Sequence, residues 1–294
     1  MAEIQNMGTM FPAELVTKVI NTVRGRSSIA KLCGAEPISF TGNDFFTFSL
    51  DKEVDIVGEG GAKGVGGMTI APVTVKPIKV EYSARVTDEF LYAAEEKKIE
   101  ILAAFNEGYA AKLARALDIM SFHGVNPRSG QASAQIGTNS FDTNTNVAKI
   151  IFNASDPEAN VEAAVAALGD YDVSGYAFSK EMGAALANVK VNNQSQYPDF
   201  KFGGNPGAFA GHTCDVNSTV AVGGEGRAYV GDFANYFKWG YAKEVPLEII
   251  PYGDPDGQGK DLKQYNQVLL RVETYIGFGI LLPAAFAKVM ANPS

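Results

Sequence analysis

The clearest pattern of apolar and polar positions runs over residues 45–82. Phe46, Phe48 and Leu50 alternate with polar residues, and after a break Val73 and Val75, then Ile78, Val80 and Tyr82, do the same. A period of two predicts strands. Between the two runs, residues 58–67 read Gly-Glu-Gly-Gly-Ala-Lys-Gly-Val-Gly-Gly, so the tip offers little side-chain surface to pack. Pro72 and Pro77 have no amide to donate, which places the returning strand at an edge. A two-stranded ribbon is at best marginally stable alone in water, so another surface must order this one.

Helical spacing appears on both sides of that hairpin. Leu15, Val19, Ile20 and Val23 predict a short helix and arm over residues 12–32. Thr87 and Asp88 offer caps for a helix running to His123, stopped by Gly124 with Pro127 just beyond. Its stripe is Ile99, Leu102, Tyr109, Leu113, Leu117 and Met120. About 36 residues at 1.5 Å each give roughly 50 Å, a beam rather than an ordinary helix. Residues 129–146 are polar and Gly-rich and form a junction. Beyond it lie a helix over 158–168, a strand over 175–178, a helix over 180–189 and a loop region over 191–211. Short strands near 228–230 and 247–250, a turn at 252–257, a strand over 268–272 and an apolar close at 280–287 complete the chain. The whole reads as α+β.

Composition narrows the function. A chain of 294 residues with 46% hydrophobic and 20% charged residues has ample core for one large domain or two. Its net charge of -8 argues against an extensive phosphate-binding surface. Cys33 and Cys214 stand alone, so neither a disulfide framework nor a Cys-rich zinc site is expected, and a reducing compartment fits. Residues 276–291 contain Pro283 and Lys288 and fall short of the ~20 apolar residues that span a bilayer. Glu3, Gln5 and Asn6 interrupt any signal-peptide pattern.

Catalytic signals are weak. The only histidines are His123, at a helix end where it caps carbonyls, and His212, two residues from Cys214 on a loop, which is a poor Cys–His or metal pair. The glycine cluster fails as a phosphate loop because Lys63 is flanked by Ala62 and Gly64 and no helix follows. The aromatic run 233–241 favours packing over a ligand platform, with Trp239 an interface anchor if exposed. No catalytic residue, metal or cofactor is expected.

The order of these elements resembles the major capsid proteins of tailed bacteriophages, over nearly the whole chain. The carrying motifs are Glu59-Gly60 before the tip, residues 76–80 leading into Thr87-Asp88-Glu89-Phe90-Leu91, and Asp118 six residues before Gly124. Downstream they are Gly231-Asp232-Phe233, Leu270-Arg271 and Pro283-Ala284-Ala285-Phe286. By resemblance, residues 1–40 are an N-terminal arm and 41–84 an extended β-hairpin loop. Residues 85–146 and 267–294 form a peripheral domain with its spine helix over 87–123, and 147–266 an axial domain.

The function implied is a shell built from hexamers and pentamers around double-stranded DNA, assembled in the host bacterial cytoplasm. Phe46, Phe48, Glu59, Lys63, Met68 and Trp239 are the candidate contacts between subunits. Packaged DNA lies near without specific binding, and no membrane is involved. Portal and decoration proteins are implied partners, with a separate scaffolding protein or none, since only some forty residues precede the hairpin. The Asn and acid that some family members use to cross-link a loop Lys have no match, so Lys63 is not expected to cross-link. An encapsulin-like compartment around cargo enzymes shares the fold and is the alternative; an enzyme with a Gly-rich lid is disfavoured by the scarcity of His and Cys.

Overall fold

The computed structural model describes Val23, residues 25–92 and residues 95–292. Leu15, Val19 and Ile20 of the predicted first helix lie outside the described residues. Of its described residues Val23, Gly25 and Arg26 are helical, and beyond Ser27 a separate turn follows, α1 (Ser28–Leu32), capped by Ser27, whose Oγ accepts from the Ala30 amide. After Cys33 the chain runs extended, and its Glu36 and Ile38 amides donate to the Trp239 and Tyr241 carbonyls at 2.8 and 3.2 Å.

The ribbon consists of β1 (Asn43–Leu50) and β2 (Met68–Val75), paired from Asn43↔Val75 to Leu50↔Met68. The projecting pair therefore ends at Val75. The next strand, β3 (Ile78–Thr87), follows the Lys76–Pro77 break and pairs with another part of the chain. The apolar positions change phase there, from Val73 and Val75 to Ile78, Val80 and Tyr82, and Pro77 stands at the slip, so the sequence marks the break but not the new partner.

The predicted long helix is present as α2 (Glu89–Tyr92) and α3 (Glu95–His123). It stops at Gly124, whose φ of +69° suits glycine and where a Cβ would lie 2.5 Å from Ser140 Oγ. Then come β4 (Ala148–Ile151), α4 (Pro157–Ala166), β5 (Gly175–Phe178), α5 (Lys180–Ala187) and the small hairpin β6 (Lys190–Val191) with β7 (Gln194–Ser195). They are followed by β8 (Ala208–Phe209), β9 (His212–Val216), β10 (Gly226–Gly231), α6 (Phe233–Tyr236), β11 (Phe237–Ile250), β12 (Gln267–Ile280) and β13 (Phe286–Met290).

Two sheets organise these elements. One is three-stranded, ordered β11-β12-β3, and the other six-stranded, ordered β4-β13-β10-β5-β9-β8. The α3 stripe of Leu102, Tyr109, Leu113, Leu117 and Met120 shares one core with Trp239, Leu270 and Ile276. Tyr109 also donates its hydroxyl to Thr274 at 2.6 Å. A second core places Val161 and Ala164 of α4 and Met182 and Leu186 of α5 against Phe178, Val230 and Val289 of the larger sheet.

Pairing divides the second half differently from the expected grouping. β11, placed with 147–266, joins the sheet beside the long helix, while β13, placed with 267–294, lies between β10 and β4. Periodicity reveals that a strand exists and which face is apolar, and it is silent on the partner.

Candidate functional site

Several buried polar groups are bonded to one another inside the fold. His123 Nε2 donates to the Thr219 carbonyl at 2.8 Å, and Nδ1 faces Asp142 Oδ2 at 2.7 Å. Asp142 also accepts from the Tyr229 hydroxyl at 2.9 Å. Lys288 reaches the carbonyls of Phe141, Asp142 and Asn144, and burial pulls its pKa down. Cys33 is pushed up to about 12 by burial; Cys214 rises likewise to about 12 through burial and the charge of Asp215. A thiol so perturbed is inert as a nucleophile. Among the described residues no group of three or more His, Cys, Asp or Glu is placed to hold a metal, and no helix is long and apolar enough to cross a membrane.

A buried polar latch, which the motif at Asp118 only hinted at, docks the arm. Asp118 of α3 accepts from Ser27 Oγ, from the Ser28 and Ile29 amides at 3.0 and 3.1 Å, and from Thr219 Oγ1 at 2.8 Å. Wholly buried, its carboxyl rises to about 6, because desolvation outweighs these bonds. Beside it Asp215 accepts from Ser28 Oγ at 2.6 Å, Lys31 Nζ at 2.5 Å and Asn205 Nδ2 at 2.8 Å. Its pKa is lowered by the Lys31, Ser28 and Asn205 bonds, which outweigh burial, the largest single influence.

The unsatisfied surface is apolar and lies on the ribbon. Phe46 faces Pro72, Phe48 faces Ile70 and Leu50 faces Met68 across the pair, so alternate residues of both strands share one face. Phe48 is 66% exposed and Ile70 48%. Towards the tip Val54, Ile56 and Val65 are more exposed still, Ile56 at 97%. Only local bonds tie the tip together: Asp51 accepts from the Gly67 amide at 2.6 Å, and Lys52 donates to the Val65 carbonyl at 3.0 Å. The structure thus brings Phe46, Phe48 and Met68 onto one strip, and leaves Glu59 and Lys63 exposed at its end.

Trp239 is a correction. Its relative exposure is 0%, and its indole Nε1 donates to the Cys33 carbonyl at 3.0 Å, so it fastens the arm within the chain and cannot be an exposed contact. It faces inward from β11, opposite Phe278 of β12, and the aromatic run around it fills the core.

Sequence reasoning passed over Phe202. Within the turn Pro198–Gly203, Phe200 packs inward beside Phe178 and Phe209, whereas Phe202 adopts φ +56°, ψ +28°. A left-handed backbone costs a non-glycine residue roughly 1–2 kcal/mol. The only trace in the sequence is Gly203-Gly204 directly after it.

Comparison with known proteins follows this geometry. A family model described as the phage capsid family matches residues 8–290. A solved structure from Mycobacterium phage Ogopogo is 32% identical, with a TM-score of 0.76 over 91% of this chain and 92% of that one. One from Gordonia phage Cozz is 23% identical, with a TM-score of 0.74 over 92% and 87%. The capsid of a native GTA particle, computed with C5 symmetry, shares the fold at 13% identity and a TM-score of 0.63 over 92% and 91%. No curated protein sequence matches the chain.

Proposed function

The chain belongs to the phage capsid family and is a major capsid protein of an icosahedral shell, and on that premise we propose how its surfaces build the shell. The ribbon of residues 43–75 reaches over a neighbouring copy, whose surface supplies the core that β1 and β2 lack. Phe46, Phe48 and Met68 are buried there, while Glu59 and Lys63 at the tip make polar contacts. A strip of exposed apolar side chains on a ribbon with no core of its own carries this reading. Each Phe taken out of water is worth about 1.5–3 kcal/mol.

The three-stranded sheet with α3 serves as the peripheral domain. The six-stranded sheet with α4, α5 and the β6–β7 hairpin serves as the axial domain, which meets its copies around hexamers and pentamers. Such contacts are head-to-tail, so each copy presents one surface forward and a different one back, and the ring closes. Double-stranded DNA fills the shell without a dedicated site, consistent with a net charge of -8. Portal and decoration proteins, and a scaffolding protein if one is used, are further partners. The role is structural and needs no catalysis. The family match favours a phage shell over a cargo compartment.

Phe46→Ser and Phe48→Ser together test the ribbon contact. The unfolding midpoint of the isolated subunit changes little, because Phe46 and Phe48 are 59% and 66% exposed and belong to neither core, yet electron microscopy shows no closed shells. Shells forming at the wild-type protein concentration would refute the proposal.

A further inference from the structure

Of the two edges of the three-stranded sheet, the chain covers one. Residues 36–38 of the arm run beside β11, where the Glu36 and Ile38 amides donate to the Trp239 and Tyr241 carbonyls. The other edge is β3, which has no proline between Ile78 and Thr87, and among the described residues no strand pairs with its outer side. A long open edge is a template for another strand. A cleft of about 490 Å³ opens along it, between β3, α3 and the turn that follows α3. Five consecutive residues of β3, 78–82, line this cleft. Successive side chains of a strand point to opposite faces, so a cleft that meets all five runs along the backbone edge and not over one face. Leu113, Met120 and Ile136 give it an apolar floor, and Lys112, Arg115 and Arg128 stand exposed at its rim.

The ribbon has the complementary character, and none of its residues lines the cleft. Its β1 pairs only with β2, so the outer edge of β1 is open, and β1 contains no proline, whereas β2 carries Pro72. Beyond the apolar strip, residues 51–59 carry Asp51, Glu53, Asp55 and Glu59 against Lys52. Eight paired positions at about 3.3 Å each hold the far end of the strip roughly 25 Å from its root at Val75, so strip and cleft of one copy can serve different neighbours.

We propose that β1 of one copy adds to the open edge of β3 in the next, extending the order β11-β12-β3 by the neighbour's ribbon. Main-chain bonds along the edge supply affinity, and side chains on alternate positions supply the fit. One face of the added ribbon continues the sheet face on which α3 packs, so Phe46 and Phe48 come over the apolar floor and the acids beyond them meet Lys112, Arg115 and Arg128. A second copy is the occupant because its ribbon matches the cleft in open edge, apolar strip and charge. This contact rests on the ribbon reading and names the surface that receives it.

Two measurements decide it. Lys112→Glu with Arg115→Glu sets acids against acids at exposed positions, so the unfolding midpoint of the isolated subunit changes little while the concentration needed for assembly rises about tenfold or more. Adding Glu53→Lys and Asp55→Lys to the same chain restores assembly at the wild-type concentration. In the second, hydrogen exchange of wild-type shells is compared with that of the isolated subunit: amides of residues 43–50 and 78–82 that exchange freely in the subunit slow about tenfold or more in the shell. Assembly of Lys112→Glu, Arg115→Glu at the wild-type concentration, or failure of the reversed charges to restore it, would overturn the docking. Slowing over 43–50 without slowing over 78–82 would overturn the strand addition. In each of these cases loss of shells in Phe46→Ser, Phe48→Ser would leave the ribbon reading standing, whereas shells formed by that variant would remove both.

Discussion

Replacing Asp118 by Asn gives the sharpest test of how the arm is held. The carboxylate is wholly buried and accepts two arm amides, two hydroxyls and, at 3.4 Å, Asn217 Nδ2. Asn keeps the shape and forfeits one acceptor oxygen, so an amide of Ser28 or Ile29 loses its partner, at a cost of about 1–3 kcal/mol. Against this, Asn removes a buried charge. Asp118 is pushed from 3.8 up to about 6, so the folded chain binds a proton that the unfolded chain releases between those values. A folded pKa above the unfolded one means stability that is full below pH 4 and is lost as pH rises through 6. The difference corresponds to roughly 3 kcal/mol. Asp215 is shifted the other way, so it titrates below this window, and it is common to both proteins. Urea unfolding of the isolated subunit at several pH values should therefore show wild type gaining about 3 kcal/mol on Asp118→Asn between pH 7.5 and 4. A gap independent of pH would refute the account of a desolvated carboxyl.

Two further substitutions probe the same docking. Gly240→Ala would set a Cβ 1.6 Å from the Glu36 carbonyl oxygen, so the arm must move off β11. An overpacking cost of about 1–3 kcal/mol is expected, with faster hydrogen exchange at the Glu36 and Ile38 amides; unchanged exchange would count against the arm's place at that edge. Trp239→Phe leaves the Cys33 carbonyl without its indole donor and should lower stability by about 1–3 kcal/mol, read by circular dichroism during denaturation, and an unaltered midpoint would contradict the bond.

What the sequence disclosed depends on whether a feature is local. The ribbon, its glycine tip and the long helix follow from periods of two and 3.6 and from Gly124, and all are present. Pairing is non-local, so the pattern marks the break at Lys76–Pro77 by a phase slip and a proline but not the new partner of β3, and it is silent on which sheets β11 and β13 join. Trp239 looked like an interface anchor because aromatic residues serve cores and interfaces alike, and only its zero exposure separates the two. Phe202 was hidden for the opposite reason. Phe200 and Phe202 stand two apart in a Gly-rich loop, and only exposure and a backbone angle separate the inward ring from the outward one.

Asp118 and Gly240 act on one segment from two directions: the carboxylate holds the start of α1, and the missing Cβ lets residues 36–38 pass beside β11. Residues 27–38 of the arm are thus held by contacts inside the chain. Phe46 and Phe48 lie outside both cores and face only their ribbon partners Pro72 and Ile70, so they contribute little to the free subunit. Stability of the subunit and stability of the shell therefore reside in separate residues. Substitutions at Asp118, Gly240 or Trp239 should shift unfolding before they shift assembly, whereas those at Phe46 and Phe48 should abolish or weaken assembly in a chain whose unfolding changes little. One residue from the second group that lowered the unfolding midpoint of the isolated subunit by as much as Gly240→Ala would break that separation.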